Sequence, residues 1–131
     1  MGKVLVIDDS NFARRIMSDT LISLKHEVIA EAKDGEGILK IYEDNDIDFM
    51  LIDMEMPNVD GITASKEVLS KYNDAKIIMV TSIVDKKRTS LALSYGVNYI
   101  LQKPITKEKL ADAISSLRGK NECWSDTKHG R

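Results

Sequence analysis

Four short runs in this chain are apolar at every position: "VLVI" at 4–7, "FMLI" at 49–52, "IIMV" at 77–80 and "YIL" at 99–101. Successive side chains of a β-strand point to opposite faces, so a strand without alternation has no face to offer to water. Such strands fit a sheet covered on both sides, which is the parallel sheet of α/β proteins. A weaker run, "EVIAEA" at 27–32, lies between the first two. Between the runs the apolar period changes. Ala13, Ile16, Met17, Thr20, Leu21 and Leu24 recur at helical spacing after the first run, with Thr20 the weak member. Ile105, Leu110, Ala113, Ile114 and Leu117 do the same after the last. Ile38, Ile41 and Tyr42 predict a helix near 34–43, Ile62, Leu69 and Tyr72 one near 61–72, and Val84, Leu91 and Tyr95 one near 84–95. Five strands alternating with five helices predict a doubly wound α/β sheet.

The 131 residues suit one domain, with 43% apolar and 31% charged residues, as in globular chains. The net charge of −2 makes no case for holding nucleic acid or a membrane by bulk electrostatics. The lone Cys123 excludes an intrachain disulfide and a cysteine-based zinc cluster, and fits a reducing compartment. No apolar stretch approaches the roughly 20 residues of a membrane span. The first residues lack the form of a signal peptide, because acids follow an apolar run of only four. A cytoplasmic protein is expected. From Arg118 on, "RGKNECWSDTKHGR" loses periodicity. The expected division is a domain over 1–118 and a disordered tail or linker remnant over 119–131.

The polar residues that follow the strong runs carry the chemistry. "VLVI" is followed by Asp8 and Asp9, "FMLI" by Asp53, "IIMV" by Thr81 and Ser82, and "YILQ" by Lys103 and Pro104. Strands of a parallel sheet point the same way, so these ends share one edge, where open α/β sheets bind ligands. Three carboxylates, a hydroxyl and an ammonium therefore converge. An all-oxygen carboxylate set suits a hard divalent ion, and magnesium takes one or two carboxylates with waters and a phosphate oxygen. Carboxylates, magnesium and a lysine around a hydroxyl donor make a phosphoryl-transfer site. His26 and His129 lie away from these strand ends, so the nucleophile would be a carboxylate, giving an acyl phosphate. Asp53 is the candidate, as the lone acid on the expected middle strand.

Each signal has a plainer reading when taken alone. "DDSN" is also a helix cap, Asp53 a turn residue, Thr81-Ser82 a cap and Lys103-Pro104 a solvated turn. Four such coincidences at successive strand ends are harder to explain as caps. "DKKR" at 85–88 sets three cations in a first helical turn, against the helix dipole, and reads as a solvated face or a partner-binding patch. Met50, Met54, Met56 and Met79 read as core or loop filler, and "EDNDIDF" at 43–49 as a solvated turn.

Over 3–117 this pattern resembles the response-regulator receiver domain, the phosphoacceptor of two-component signalling. The acid pair, the single aspartate, the Thr/Ser pair and the Lys-Pro are spaced as in that family, and "MPNVDG" at 56–61 matches its loop after the phosphorylation site. "DDSNFARR" and "EVIAEAKDG" are most similar to chemotaxis-type receivers. The resemblance implies a flavodoxin-like sheet of order 2-1-3-4-5 flanked by five helices. It implies that Asp53 is phosphorylated from a sensor histidine kinase. Asp9 and Asp53 would ligate Mg2+ directly and Asp8 through water, with the main-chain carbonyl of Glu55 completing the protein ligands. Thr81 would hydrogen-bond the phosphoryl group, Lys103 would pair with it, Ser82 would leave room for it, and the Lys103-Pro104 bond would be cis. A downstream output protein or domain would read the change. The chain departs from the family at the aromatic position three before the lysine, which falls on Ile100 rather than Tyr99. Two arrangements stay open: a stand-alone chemotaxis-type regulator, or the receiver part of a larger regulator whose output domain is DNA-binding or enzymatic. An aspartate-based phosphohydrolase would want Asp-x-Asp after the first strand, and a flavodoxin-like electron carrier a hydroxyl-rich phosphate loop there. "DDS" suits neither, so catalysis is expected only of the chain's own phosphorylation and dephosphorylation.

Overall fold

The structure, a computed structural model, describes residues 2–118. The expected tail at 119–131, with Cys123, Trp124 and His129, lies outside the described residues. The elements alternate: β1 (Lys3–Ile7), α1 (Asn11–Ser23), β2 (Glu27–Ala32), α2 (Ile38–Asp44), β3 (Phe49–Asp53), α3 (Gly61–Lys71), β4 (Ile77–Thr81), α4 (Lys86–Tyr95), β5 (Tyr99–Gln102) and α5 (Lys107–Arg118). The five strands form one parallel sheet in the order β2-β1-β3-β4-β5, as the resemblance implies. None of the described helices is long and apolar enough to cross a membrane.

The unbroken apolar runs are explained by two cores. One face of the sheet sends Leu5, Ile7, Met50, Ile52, Ile77 and Met79 into a cluster with Ile38, Val68, Leu69 and Ala92 of α2, α3 and α4. The other sends Val4, Val6, Phe49, Leu51, Ile78 and Val80 against Met17 and Leu21 of α1 and Leu110, Ile114 and Leu117 of α5. β3 and β4 are buried at every position. β2 and β5, at the sheet edges, are only partly covered. Met50, Met54, Met56 and Met79 are all buried, as filler.

Three local expectations need correction. The helix expected over 34–43 is α2 at Ile38–Asp44, because the turn before it ends on Gly37 in the left-handed region at φ 77°, where glycine meets no Cβ penalty. The helix expected over 84–95 starts at Lys86. Asp85 is its N-cap, accepting from the amides of Lys87 and Arg88, which offsets the cations of that turn. Ile83 and Val84 precede it, each 64% exposed. On α1 the inner face carries Met17, Ser18 and Leu21, while Ile16 points outward.

The register of β5 settles which residue stands at the position of the aromatic. Ile78, Met79, Val80 and Thr81 of β4 pair with Tyr99, Ile100, Leu101 and Gln102 without a shift. A bulge that would rotate Tyr99 into the core is absent from this pair of strands. Ile100 packs on the core that includes α3 and α4, and Tyr99 is exposed.

Candidate functional site

β1, β3, β4 and β5 end together and bring Asp8, Asp53, Thr81 and Lys103 to one edge. Asp8 is fully buried, Asp53 is 3% exposed and Thr81 is 2% exposed. Buried carboxylates are costly unless they are paired. The partner is Lys103, whose Nζ donates to Asp8 Oδ2 at 2.9 Å and lies 3.6 Å from Asp53 Oδ1. The Lys103-Pro104 peptide is cis, as the resemblance implies. The other oxygen of Asp8, Oδ1, accepts from the Ser10 amide at 2.9 Å. Ser10 also caps α1, its hydroxyl accepting from the Ala13 amide at 3.1 Å. The cap in "DDSN" is thus Ser10, while Asp8 faces the strand-end cluster.

Asp9 is exposed. Oxygens of Asp8, Asp9 and Asp53 all lie within 4.8 Å of one another. Three hard oxygen donors at this spacing, with solvent on one side, fit a divalent cation that keeps some of its waters. His26 sits at the opposite end of the sheet, where its Nδ1 accepts from the Gly2 amide at 2.9 Å.

The electrostatics of the site follow from crowding. Burial raises the pKa of Asp53 to about 6, and the charge of Asp8 adds to the rise; Lys103 pulls the other way without cancelling it. Burial alone would lower the pKa of Lys103. The hydrogen bond to Asp8 and the charges of Asp53 and Asp8 outweigh it and hold the ammonium above the usual lysine value. Lys103 therefore stays charged, and Asp53 takes up a proton far more readily than an ordinary aspartate.

The loop after β3 is tightly laid. Its Gly61 amide donates to Met54 O at 3.0 Å. A Cβ on Gly61 would fall 2.1 Å from the carbonyl oxygen of Asp53, so no other residue fits without moving the site. Asp60 then caps α3 through the Thr63 amide at 2.8 Å.

Three features escape the sequence. Arg14, on α1, donates to the Asp8 carbonyl oxygen at 2.6 Å and pairs with Glu31 at 3.2 Å. The Glu55 carboxylate accepts from the Thr81 hydroxyl and, at 3.2 Å, from the Ser82 amide. Arg88, one of the cations read as a solvated face or partner patch, turns back to within 4.0 Å of both Glu55 and Asp60. Nothing in the spacing of these residues marks them, since each contact joins separate elements through a long flexible side chain.

Comparison with known proteins agrees with this geometry. The family model described as "Response regulator receiver domain" matches residues 4–115. A chemotaxis protein CheY homolog of Campylobacter jejuni is 38% identical over 124 residues, covering 89% of this chain and 95% of that protein. The chemotaxis protein CheY of Bacillus subtilis is 31% identical over 113 residues, covering 86% and 94%. A chain from the crystal structure of the CheX-CheY-BeF3-Mg2+ complex of Borrelia burgdorferi superposes with a TM-score of 0.86 at 26% identity, covering 91% of this chain and 90% of that one. With the family model matching nearly the whole described length and relatives 31–38% identical over most of the chain, the chain belongs to the response-regulator receiver domain family.

Proposed function

We propose that this chain is a phosphoacceptor that takes a phosphoryl group from a phosphohistidine of a sensor kinase onto Asp53, using Mg2+, and so changes its affinity for a downstream protein. One observation carries the reading: carboxylates from two strand ends cluster within 4.8 Å with Lys103 from a third and Thr81 on the strand between. In the transfer, an oxygen of Asp53 forms a bond to phosphorus as the phosphorus–nitrogen bond of the donor breaks, and the electron pair leaves with the imidazole. At neutral pH Asp53 is mostly ionised despite its raised pKa, so it can attack without a separate base. Asp9, exposed and at the cluster, and Asp53 would hold the metal directly, with the Glu55 carbonyl. Both oxygens of Asp8 already have protein donors, which supports its acting through water. When bound, the ion would neutralise charge on the transferring oxygens. Lys103 would pair with the same oxygens, and Thr81 would donate to one of them.

The setting we propose is cytoplasmic, and the only catalysis is of the chain's own phosphorylation and dephosphorylation. Similarity to chemotaxis proteins matched over 94–95% of their length supports a stand-alone, chemotaxis-type regulator. The test is intact-mass spectrometry after incubation with acetyl phosphate and magnesium. The parent should gain one acid-labile phosphoryl group and Asp53→Asn none; an equal adduct on the variant would refute the assignment.

A further inference from the structure

The Glu55 side chain, as distinct from its carbonyl, has no part in the function proposed above, yet it is anchored at the site. Its Oε2 accepts from the Thr81 hydroxyl and its Oε1 from the Ser82 amide at 3.2 Å. The single Thr81 proton is shared, because the hydroxyl also faces Ile83 O at 2.9 Å. Thr81 is buried, so it has little water to turn to. Glu55 starts beside the phosphoacceptor: its own amide points at Asp53 Oδ1 at 3.4 Å. From there its carboxylate reaches across to the end of β4. Two anionic oxygens thus sit on two adjacent donors next to Asp53. A phosphoryl group on Asp53 offers the same chemistry to the same donors. Only one of the two anions can use them at a time, and like charges so close repel.

We infer that the Glu55 carboxylate is a built-in occupant of the phosphoryl-binding donors Thr81 and Ser82, which phosphorylation must evict. The inference rests on Asp53 being the phosphoacceptor. Eviction has a defined direction. Arg88, in the first turn of α4, already stands 4.0 Å from Glu55 Oε2 and 4.0 Å from Asp60 Oδ2. That separation leaves room for a closer pair. A carboxylate leaving Thr81 and Ser82 moves toward this guanidinium, and the event at β3 reaches the start of α4 through one ion pair. Two ligands of like chemistry competing for the same donors give a two-state device without any change in the core. Glu55 is then a positioning residue: it sets where Thr81 points before phosphate arrives and how readily phosphate is accepted.

The experiment has two arms on the full chain. In the first, with no phosphodonor present, NMR amide exchange is recorded for Ser82 in the parent, Glu55→Gln and Glu55→Ala. The Ser82 amide should exchange about tenfold faster in Glu55→Ala and to an intermediate degree in Glu55→Gln, because an uncovered amide meets water. Equal exchange in all three would overturn the inference. In the second, the rate of adduct formation from acetyl phosphate is measured at low and high salt. Glu55→Ala should be phosphorylated several-fold faster at both. A gain that vanishes at high salt would show simple repulsion of the anionic donor, screened by ions, and would also overturn the inference. On phosphorylation, the Arg88 side-chain resonances should shift in the parent and not in Glu55→Ala; no shift in the parent would refute the eviction path. Should the parent form no adduct on Asp53, the phosphoacceptor reading itself fails, while the first arm still decides whether Glu55 covers Ser82.

Discussion

Lys103 Nζ stands 2.9 Å from Asp8 Oδ2, although 95 positions separate the two in the chain. The pair joins the end of the first strand to the end of the last and supplies the cation that lets a fully buried carboxylate exist beside Asp53. Removing that cation should therefore matter to stability as well as to chemistry. Lys103→Met should destabilise the metal-free protein by about 3–5 kcal/mol, since it leaves a buried charge without its partner. Magnesium should recover part of the loss by supplying another cation. Urea melts with EDTA and with magnesium give both values. A variant as stable as the parent in EDTA would mean that the pair does not support the fold.

The Asp53 carboxyl gives a pH signature. Its pKa stands at about 6 in the folded chain, raised first by burial and then by Asp8, against an ordinary value of 3.8. Between those two values the folded state binds more protons than the unfolded state, so stability falls as pH rises through that window. Asp53→Asn removes the cost of the charge. In EDTA at pH 7 the variant should be more stable than the parent by about 1–3 kcal/mol, and near pH 4 the difference should close. A parent-like stability of the variant at pH 7 would show that the site bears no such strain.

The metal should act through Asp9, the exposed member of the acid cluster. Asp9→Ala should leave the metal-free melting temperature unchanged, because Asp9 is not part of the core. The parent should gain about 1.4 kcal/mol when magnesium is tenfold above its dissociation constant, and the variant much less. Equal stabilisation of both by magnesium would place the ion elsewhere.

Ile100 and Tyr99 should behave oppositely. Ile100 packs against the core while Tyr99 is exposed on the edge strand. Ile100→Ala should cost about 1–3 kcal/mol and Tyr99→Ala less than about 0.5 kcal/mol. The small, hydroxyl-free Ile100 should also report activation weakly. We propose that Thr81 and the 82–88 loop, with Lys86, Lys87 and Arg88, carry most of the change. NMR shifts of that loop on phosphorylation should survive in Tyr99→Ala. Their loss in that variant alone would assign the switch to Tyr99.

Much of this is legible in the order of the residues. Apolar runs without alternation required strands covered on both faces, and the polar residues after four of them had to meet at one edge. These properties depend on local period and on strand direction, which a chain carries in its residue order. For that reason Asp8, Asp9, Asp53, Thr81 and Lys103 were expected at one edge, and the fold places them there. The starts of α2 and α4 were not, because they hinge on the left-handed turn at Gly37 and on the Asp85 cap rather than on apolar spacing. The outward turn of Ile16 was also hidden, since α1 carries more apolar positions than its inner face uses. Tertiary structure alone decided which donors the Glu55 carboxylate takes, that Arg14 holds the Asp8 carbonyl and that Arg88 faces the site. A long charged side chain has many rotamers of similar energy, and its choice among them is made by charges that the fold brings near from elsewhere in the chain.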